Sequence, residues 1–229
     1  MTSPRRHRVL VVDDDAVVRD AYRMFFAAED RFTLVGESPG GQAGVEDYRH
    51  LRPDIVLMDL NMPDLSGIEA TREITADDCR ACVVAMTTFT AREYVVAALE
   101  AGAAGYLVKG ISASQLAAGL LQAAAGDMPL SAMVRRELVA TVTRSIKGPV
   151  PDGSNTLPPR ELELVHLLAA GLTNRQIARR MHLSEGTIKQ YVARVADKLQ
   201  ASSRTQILIR AIQAGLVDPF TVTDPAGSD

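Results

Sequence analysis

The chain has 229 residues, 47% of them hydrophobic and 23% charged, a balance that suits one large or two modest globular domains and excludes a disordered chain. No apolar stretch approaches the roughly 18 residues of a membrane span, and the basic start around Arg5, Arg6 and Arg8 leads into a strand-like run rather than the apolar core of a signal peptide, so a cytoplasmic location without membrane partners is expected. The formal net charge of −3 hides an asymmetry: residues 1–130 carry 12 Lys and Arg against 19 Asp and Glu (−7), and residues 157–217 carry 9 against 4 (+5).

Through the first 126 residues strand-like and helix-like segments alternate. Strands are expected near 8–13, 32–36, 54–58, 82–87 and 104–108, with amphipathic helices near 15–28, 40–50, 66–76, 91–100 and 112–125. Five strand–helix repeats imply an α/β, doubly wound parallel sheet. Ser112 with Gln115 three residues later reads as a capping box opening the last of these helices. The run Val9–Val12 ends in Asp13, Asp14 and Asp15, and Ile55–Met58 ends in Asp59. Two later runs end in Thr87 and near Lys109. Open α/β sheets bind ligands at the C-terminal ends of their strands. Carboxylates, a hydroxyl and an ammonium gathered there suit a divalent cation such as Mg2+ and a phosphoryl group. Cys79 and Cys82 form an isolated C-x-x-C without a second pair, so a metal or redox role is not expected of them.

Beyond Gly126 a short amphipathic stretch is expected at 131–144, followed by a Pro/Gly linker at 147–155. Four helices should follow near 159–170, 174–181, 185–199 and 203–213, and the residues from 218 should fray. The expected organisation is therefore a first domain over 1–127, a linker over 128–156, an all-α domain over 157–217 and a tail over 218–229. Residues 174–199 read as a helix-turn-helix. Ile177, Ala178 and Met181 face inward, His182 takes a turn position that favours positive φ, and Ser184 caps the next helix. That helix turns Ile188, Val192, Val195 and Leu199 to the core, and its outer face carries Thr187, Lys189, Gln190, Arg194 and Lys198. Such a face fits the major groove of DNA.

The ordered set of acidic pair, acceptor Asp59, Met62-Pro63 turn, Thr87, Tyr106 and Lys109 resembles the receiver domain of bacterial two-component response regulators, over roughly residues 8–126. That resemblance implies a flavodoxin-like five-stranded sheet of order 2-1-3-4-5. It also implies that Asp59 accepts a phosphoryl group from a sensor histidine kinase. Mg2+ would be held by Asp14, Asp59 and the backbone carbonyl of Asn61, with Asp13 acting through water. Asp15 would lie outside the site, at the start of the first helix. Lys109 would pair with a phosphoryl oxygen, and Thr87 would move toward another. Tyr106 would swing inward into the space Thr87 leaves, or would simply be a half-buried strand tyrosine. Asn61 and Phe89, each two positions past Asp59 and Thr87, should border the group, where Phe89 should restrict hydrolytic water. Gly110 stands where many receivers have Pro, so a cis bond is excluded there and a more flexible loop is expected.

Leu157-Pro158-Pro159-Arg160-Glu161, Gly171–Asn174, Thr187–Val192 and Lys198-Leu199 are similar to the LuxR-type DNA-binding domain, which together with a receiver implies the NarL/FixJ family. On that likeness Lys189 and Gln190 would read base edges of double-stranded promoter DNA. Thr187, Tyr191, Arg194 and Lys198 would hold phosphates, the bland alternative for the last two being a solvated face. Pro158 replaces the usual capping Thr, and Pro159 at the first helical position partly compensates. The helix near 203–213, rich in Ile, would either pair two such domains into a homodimer or merely close the core. Two other functions fit less well. A receiver ruled by a ligand or partner instead of phosphate usually lacks part of the acidic pair, the Thr or the Lys. A Mg2+-dependent phosphatase would want an acid two residues after the nucleophile, where Asn61 stands.

Overall fold

The structure is a computed structural model that describes residues 6–88, 92–127, 129, 157–201 and 203–217. Five strands, β1 (His7–Val12), β2 (Phe32–Ser38), β3 (Ile55–Asp59), β4 (Val83–Thr87) and β5 (Gly105–Val108), form one parallel sheet. Its order is β2-β1-β3-β4-β5, as the resemblance implied. Helices α1 (Ala16–Ala28), α2 (Gly41–Leu51), α3 (Gly67–Asp77), α4 (Arg92–Glu100) and α5 (Ala113–Ala124) connect and follow the strands. β2 runs two residues further than expected, because Val11 and Val12 of β1 still find partners in Glu37 and Ser38 after a register shift at Val9/Leu10.

The apolar strands are covered on both faces, and their period of two sorts them. Val9, Val11, Ile55, Leu57, Val84 and Met86 pack with Phe26 of α1 and Leu116 and Leu120 of α5. Leu10, Val12, Val56, Met58 and Val83 pack with Val45 and Tyr48 of α2 and Ala70 and Ile74 of α3. Sequence-local caps set where the helices start. Asp15 accepts the N–H of Val17 to open α1. Ser66 with Glu69, and Ser112 with Gln115, close reciprocal capping boxes on α3 and α5.

The C-terminal region contains α6 (Pro159–Ala169), α7 (Asn174–Met181), α8 (Glu185–Leu199) and α9 (Arg204–Gln213). Pro158 caps α6 without a side-chain hydrogen bond, and Pro159 takes the first helical turn. His182 has φ 55°, the left-handed turn expected between α7 and α8, and Ser184 accepts the N–H of Thr187. Ile177, Met181, Ile188, Val195, Leu199, Ile207 and Ile212 build the small core. α9 also packs on α4 of the first domain, so the apolar cluster runs on through Val95 and Leu99. The stretch 131–144, the linker 147–155, the tail from 218 and Phe89 lie outside the described residues. Among the described residues no helix is long and apolar enough to cross a membrane.

Candidate phosphoryl site and DNA-facing helix

Parallel pairing in register carries the ends of β1, β3 and β5 to one edge, and the side chains converge there as well. Ligand oxygens of Asp13, Asp14 and Asp59 all lie within 4.8 Å of one another. Asp13 and Asp59 are buried, at 1% and 6% exposure, and Asp14 is exposed. Lys109 Nζ is 2.7 Å from Asp13 Oδ2 and 3.2 Å from Asp59 Oδ2. Asp13 also accepts the N–H of Asp15 at 3.1 Å, and Asp59 that of Leu60 at 2.9 Å. Asp15 points away to cap α1, as expected.

The charge balance of the cluster is incomplete. Burial pushes the Asp59 carboxyl above the usual carboxylate range, the Lys109 ammonium pulls it back, and the charge of Asp13 adds to the rise. Burial works to lower Lys109, yet its hydrogen bond to Asp13 and the Asp59 charge overcome it and hold the ammonium above its ordinary value. One ammonium therefore serves two buried carboxylates with a third beside them. A compact divalent cation with oxygen preference fits that donor set. Asn61, exposed and two residues past Asp59, lies on the loop leaving β3.

Thr87 and Tyr106 are each 1% exposed, and their side chains hydrogen-bond each other. Burial pushes the Tyr106 phenol up to about 12, with the Thr87 bond working the other way. The expected inward swing of Tyr106 thus has no outward starting point here, because the ring already fills the inner position against Ala85, Ala98 and Leu99. It is more than a half-buried strand tyrosine. Gly110 has φ 90°, a backbone that Pro, fixed near −65°, does not adopt.

Three anchors of this site escaped the sequence reading. A Cβ on Gly67 would sit 1.8 Å from the Asp59 carbonyl oxygen, so only glycine lets α3 begin against the end of β3. Asp64 accepts the Gly41 and Gln42 N–H groups at 3.1 and 3.3 Å and ties the loop after Asp59 to the start of α2. Arg19 donates to the Asp13 carbonyl at 2.7 Å and braces the β1–α1 turn. Gly67 follows the Met-Pro turn by four residues, which is the only local signal. Asp64 and Arg19 gain meaning only from contacts far along the chain or back across a turn.

On α8 the residues assigned to DNA divide into two groups. Lys189, Gln190 and Arg194 are exposed, and Thr187 and Tyr191 are half-buried. The Thr187 hydroxyl is 2.8 Å from that of Ser184, so it helps close the cap. The Arg194 guanidinium lies 4.3 Å from the Tyr191 ring centroid, a cation–π stack that holds both on one face. Lys198 differs from the expectation of a phosphate-holding or merely solvated lysine. Its Nζ is 2.7 Å from Glu161 Oε2, and the Glu161 side chain is only 7% exposed. A carboxylate that buried needs a counter-charge, and Lys198 provides it from within the domain.

The comparisons with known proteins cover both regions. Residues 9–120 match the family described as response regulator receiver domain, and residues 155–211 match bacterial regulatory proteins of the luxR family. The nitrate/nitrite response regulator protein NarL of Escherichia coli K12 is 33% identical over 209 residues, covering 91% of this chain and 96% of that protein. The transcriptional regulatory protein LiaR of Bacillus subtilis 168 is 33% identical over 211 residues, covering 92% and 99%. A solved two-component response regulator of the LuxR family from Aurantimonas sp. SI85-9A1 superposes with a TM-score of 0.56 at 31% identity, covering 61% of this chain and 99% of that one.

Proposed function

As this chain belongs to the NarL-type response regulators, with a receiver and a LuxR-type DNA-binding domain, we propose that Asp59 takes a phosphoryl group from a sensor histidine kinase and thereby controls binding to promoter DNA. The observation that carries this reading is the meeting of Asp13, Asp14, Asp59 and Lys109 within ion-pair distance at one sheet edge. In the transfer an Asp59 oxygen forms a bond to phosphorus as the P–N bond of a phosphohistidine breaks. The imidazole nitrogen keeps the electron pair and takes up a proton.

Asp13, Asp14, Asp59 and the Asn61 carbonyl would hold Mg2+, whose charge offsets that of the incoming phosphoryl oxygens. Lys109, now shared between Asp13 and Asp59, would turn one N–H toward the transferred group. Thr87 would offer its hydroxyl to another phosphoryl oxygen, at the cost of its bond to Tyr106. The change then passes to α4, which packs around the Tyr106 ring. The domain limits expected from sequence, 1–127 and 157–217, fit this division of labour.

In the DNA-binding domain Lys189 and Gln190 are the proposed base readers, with Thr187, Tyr191 and Arg194 holding the helix on the phosphates. Lys198 contributes through Glu161. α9 would pair two domains over inverted half-sites. The test is acetyl phosphate with Mg2+ and intact-mass measurement. Wild type gains one phosphate and Asp59→Asn gains none. A wild type that takes up no phosphate, or a variant that still does, would overturn the reading in favour of control by a ligand or partner.

A further inference from the structure

Charge in the DNA-binding domain is not spread evenly over the helix-turn-helix. α8, the helix proposed to enter the groove, carries Lys189, Arg194 and Lys198 against Glu185 and Asp197. α7 carries Arg175, Arg179 and Arg180 within eight residues and no acid. All three arginines are exposed. Among the described residues no ion pair reaches any of them, whereas Lys198 pairs with Glu161 and Arg204 with Asp127.

Two of these arginines work against the helix that bears them. Arg175 lies in the first turn of α7, beside the positive end of the helix dipole, where a cation is unfavourable. Asp127 accepts the Asn174 N–H at 2.8 Å at this same helix end, yet its ion-pair partner is Arg204, at 3.7 Å. Arg179 stands four residues beyond Arg175 and about 40° around the axis, so the two like charges share one flank and repel. Arg180 lies on the opposite flank, about 140° from Arg175, and in the last turn, where the dipole favours a cation. Helix stability therefore accounts for Arg180 and leaves Arg175 unexplained. Packing does not require Arg175 either, because the buried residues of α7 are Asn174, Ile177, Ala178 and Met181.

Like charges kept side by side without partners are relieved by a polyanion, and the partner proposed for α8 is one. α7 packs on α8. Helices in contact lie about 8–10 Å apart, and the major groove is about 12 Å wide. With α8 in the groove, a flank of α7 comes up against the phosphates that border it.

We propose that Arg175 and Arg179 form a sequence-independent phosphate grip, strained by their mutual repulsion in the free protein and relieved against one backbone of a duplex. This deepens the DNA-binding reading and rests on it for the identity of the partner. The two helices then do different work. α8 chooses the sequence, and α7 supplies holding power on any duplex.

The test uses the full-length chain and a mixed-sequence duplex. Affinity is read by anisotropy between about 50 and 200 mM salt, and melting by circular dichroism. Gln serves as the replacement because its helix propensity is close to that of Arg. Arg175→Gln and Arg179→Gln should each reduce the slope of log affinity against log salt by about 0.9, the loss of one phosphate contact. Arg175→Gln should at the same time raise the melting temperature by about 1–3 °C, since it removes both the repulsion and the conflict with the dipole. Arg180→Gln removes the same charge from the other flank. It should leave the slope nearly unchanged and should not raise the melting temperature.

A wild-type salt slope that Arg175→Gln and Arg179→Gln leave intact overturns the grip while DNA binding stands. If the melting temperature still rises in that case, the strained flank belongs to an acidic protein surface instead. Equal falls in slope for all three variants would mean a diffuse field rather than a contact, and would overturn the grip as well. A wild type that binds no duplex at the lowest salt sinks the DNA-binding reading and the grip with it.

Discussion

The phosphoryl site and the DNA-facing helix solve opposite problems. At the first, three strand ends bring acidic and basic groups into a space with little water, and each group's behaviour depends on the others. Asp59 is held above its ordinary range by burial even with Lys109 at 3.2 Å. On α8 one helix places all the proposed contact groups, and Lys189, Gln190 and Arg194 stand in solvent. A converging buried site tolerates almost no change in backbone path, because several elements must meet at ångström tolerance. An exposed helix face tolerates change in its backbone but not in the chemistry of the side chains that reach the groove.

The contrast is sharpest at glycine. In the receiver, the Cβ that Gly67→Ala adds would sit 1.8 Å from the Asp59 carbonyl oxygen and 2.9 Å from Leu60 Cα. Both obstacles are backbone, so no rotamer change relieves them, and β3 and α3 must part. Gly67→Ala is expected to cost at least about 3 kcal/mol of stability, beyond ordinary overpacking. Urea unfolding followed by circular dichroism measures it. A loss under about 1 kcal/mol would show that the acceptor edge is softer than the packing implies.

The next largest effect separates two lysines on α8. Lys189 is exposed and carries no structural duty, so Lys189→Ala should leave stability unchanged and weaken DNA binding by about 1–3 kcal/mol while relaxing preference at one base pair. Lys198 is tied to Glu161, whose carboxylate has little water. Lys198→Ala should instead lower stability by roughly 1–2 kcal/mol through the stranded carboxylate. Its effect on DNA should be the smaller of the two. Titrating a promoter duplex at two salt concentrations, beside thermal unfolding, distinguishes the roles. Reversed outcomes would mean that Lys198 leaves Glu161 for phosphate on the duplex.

Much of this was legible in the sequence, for reasons that differ between the domains. The sheet announces itself because its strands are covered on both faces and so read as unbroken apolar runs, each ending at a polar residue. Asp13, Asp59, Thr87 and Lys109 stood out as the residues that end those runs, and order along the chain became proximity in space. The caps at Ser112 and Ser184 were legible because they act within a few residues of themselves. The pairing of Lys198 with Glu161 was not legible, because helical spacing tells which side chains face out but not which of them has a distant buried partner. Glu161 lies 37 positions away. Tyr106 was placed correctly on β5, but whether its ring points in or out is settled by packing with α4, which no local pattern encodes. The hydrogen bond from the Tyr106 N–H to the Pro129 carbonyl, 3.1 Å long, was equally hidden, since it joins two backbones and uses no side-chain chemistry.

The smallest effect tests the tolerant half of the comparison. Gly186 lies in the first turn of α8, and a Cβ built there meets nothing nearer than Ser184 Oγ at 3.7 Å, an ordinary contact. Its backbone is not among the positive-φ positions. Nothing in the fold therefore requires glycine. Gly186→Ala removes conformational freedom from the unfolded chain and adds helix propensity. Near a helix end the gain is reduced, so stability should rise by about 0.5 kcal/mol, read from the urea midpoint. A loss of stability would contradict the open surroundings of α8. A gain in stability accompanied by a fall in DNA affinity would locate a place where the start of α8 comes so near a phosphate that a methyl group intrudes, and the tolerance of this face would then end where the duplex begins.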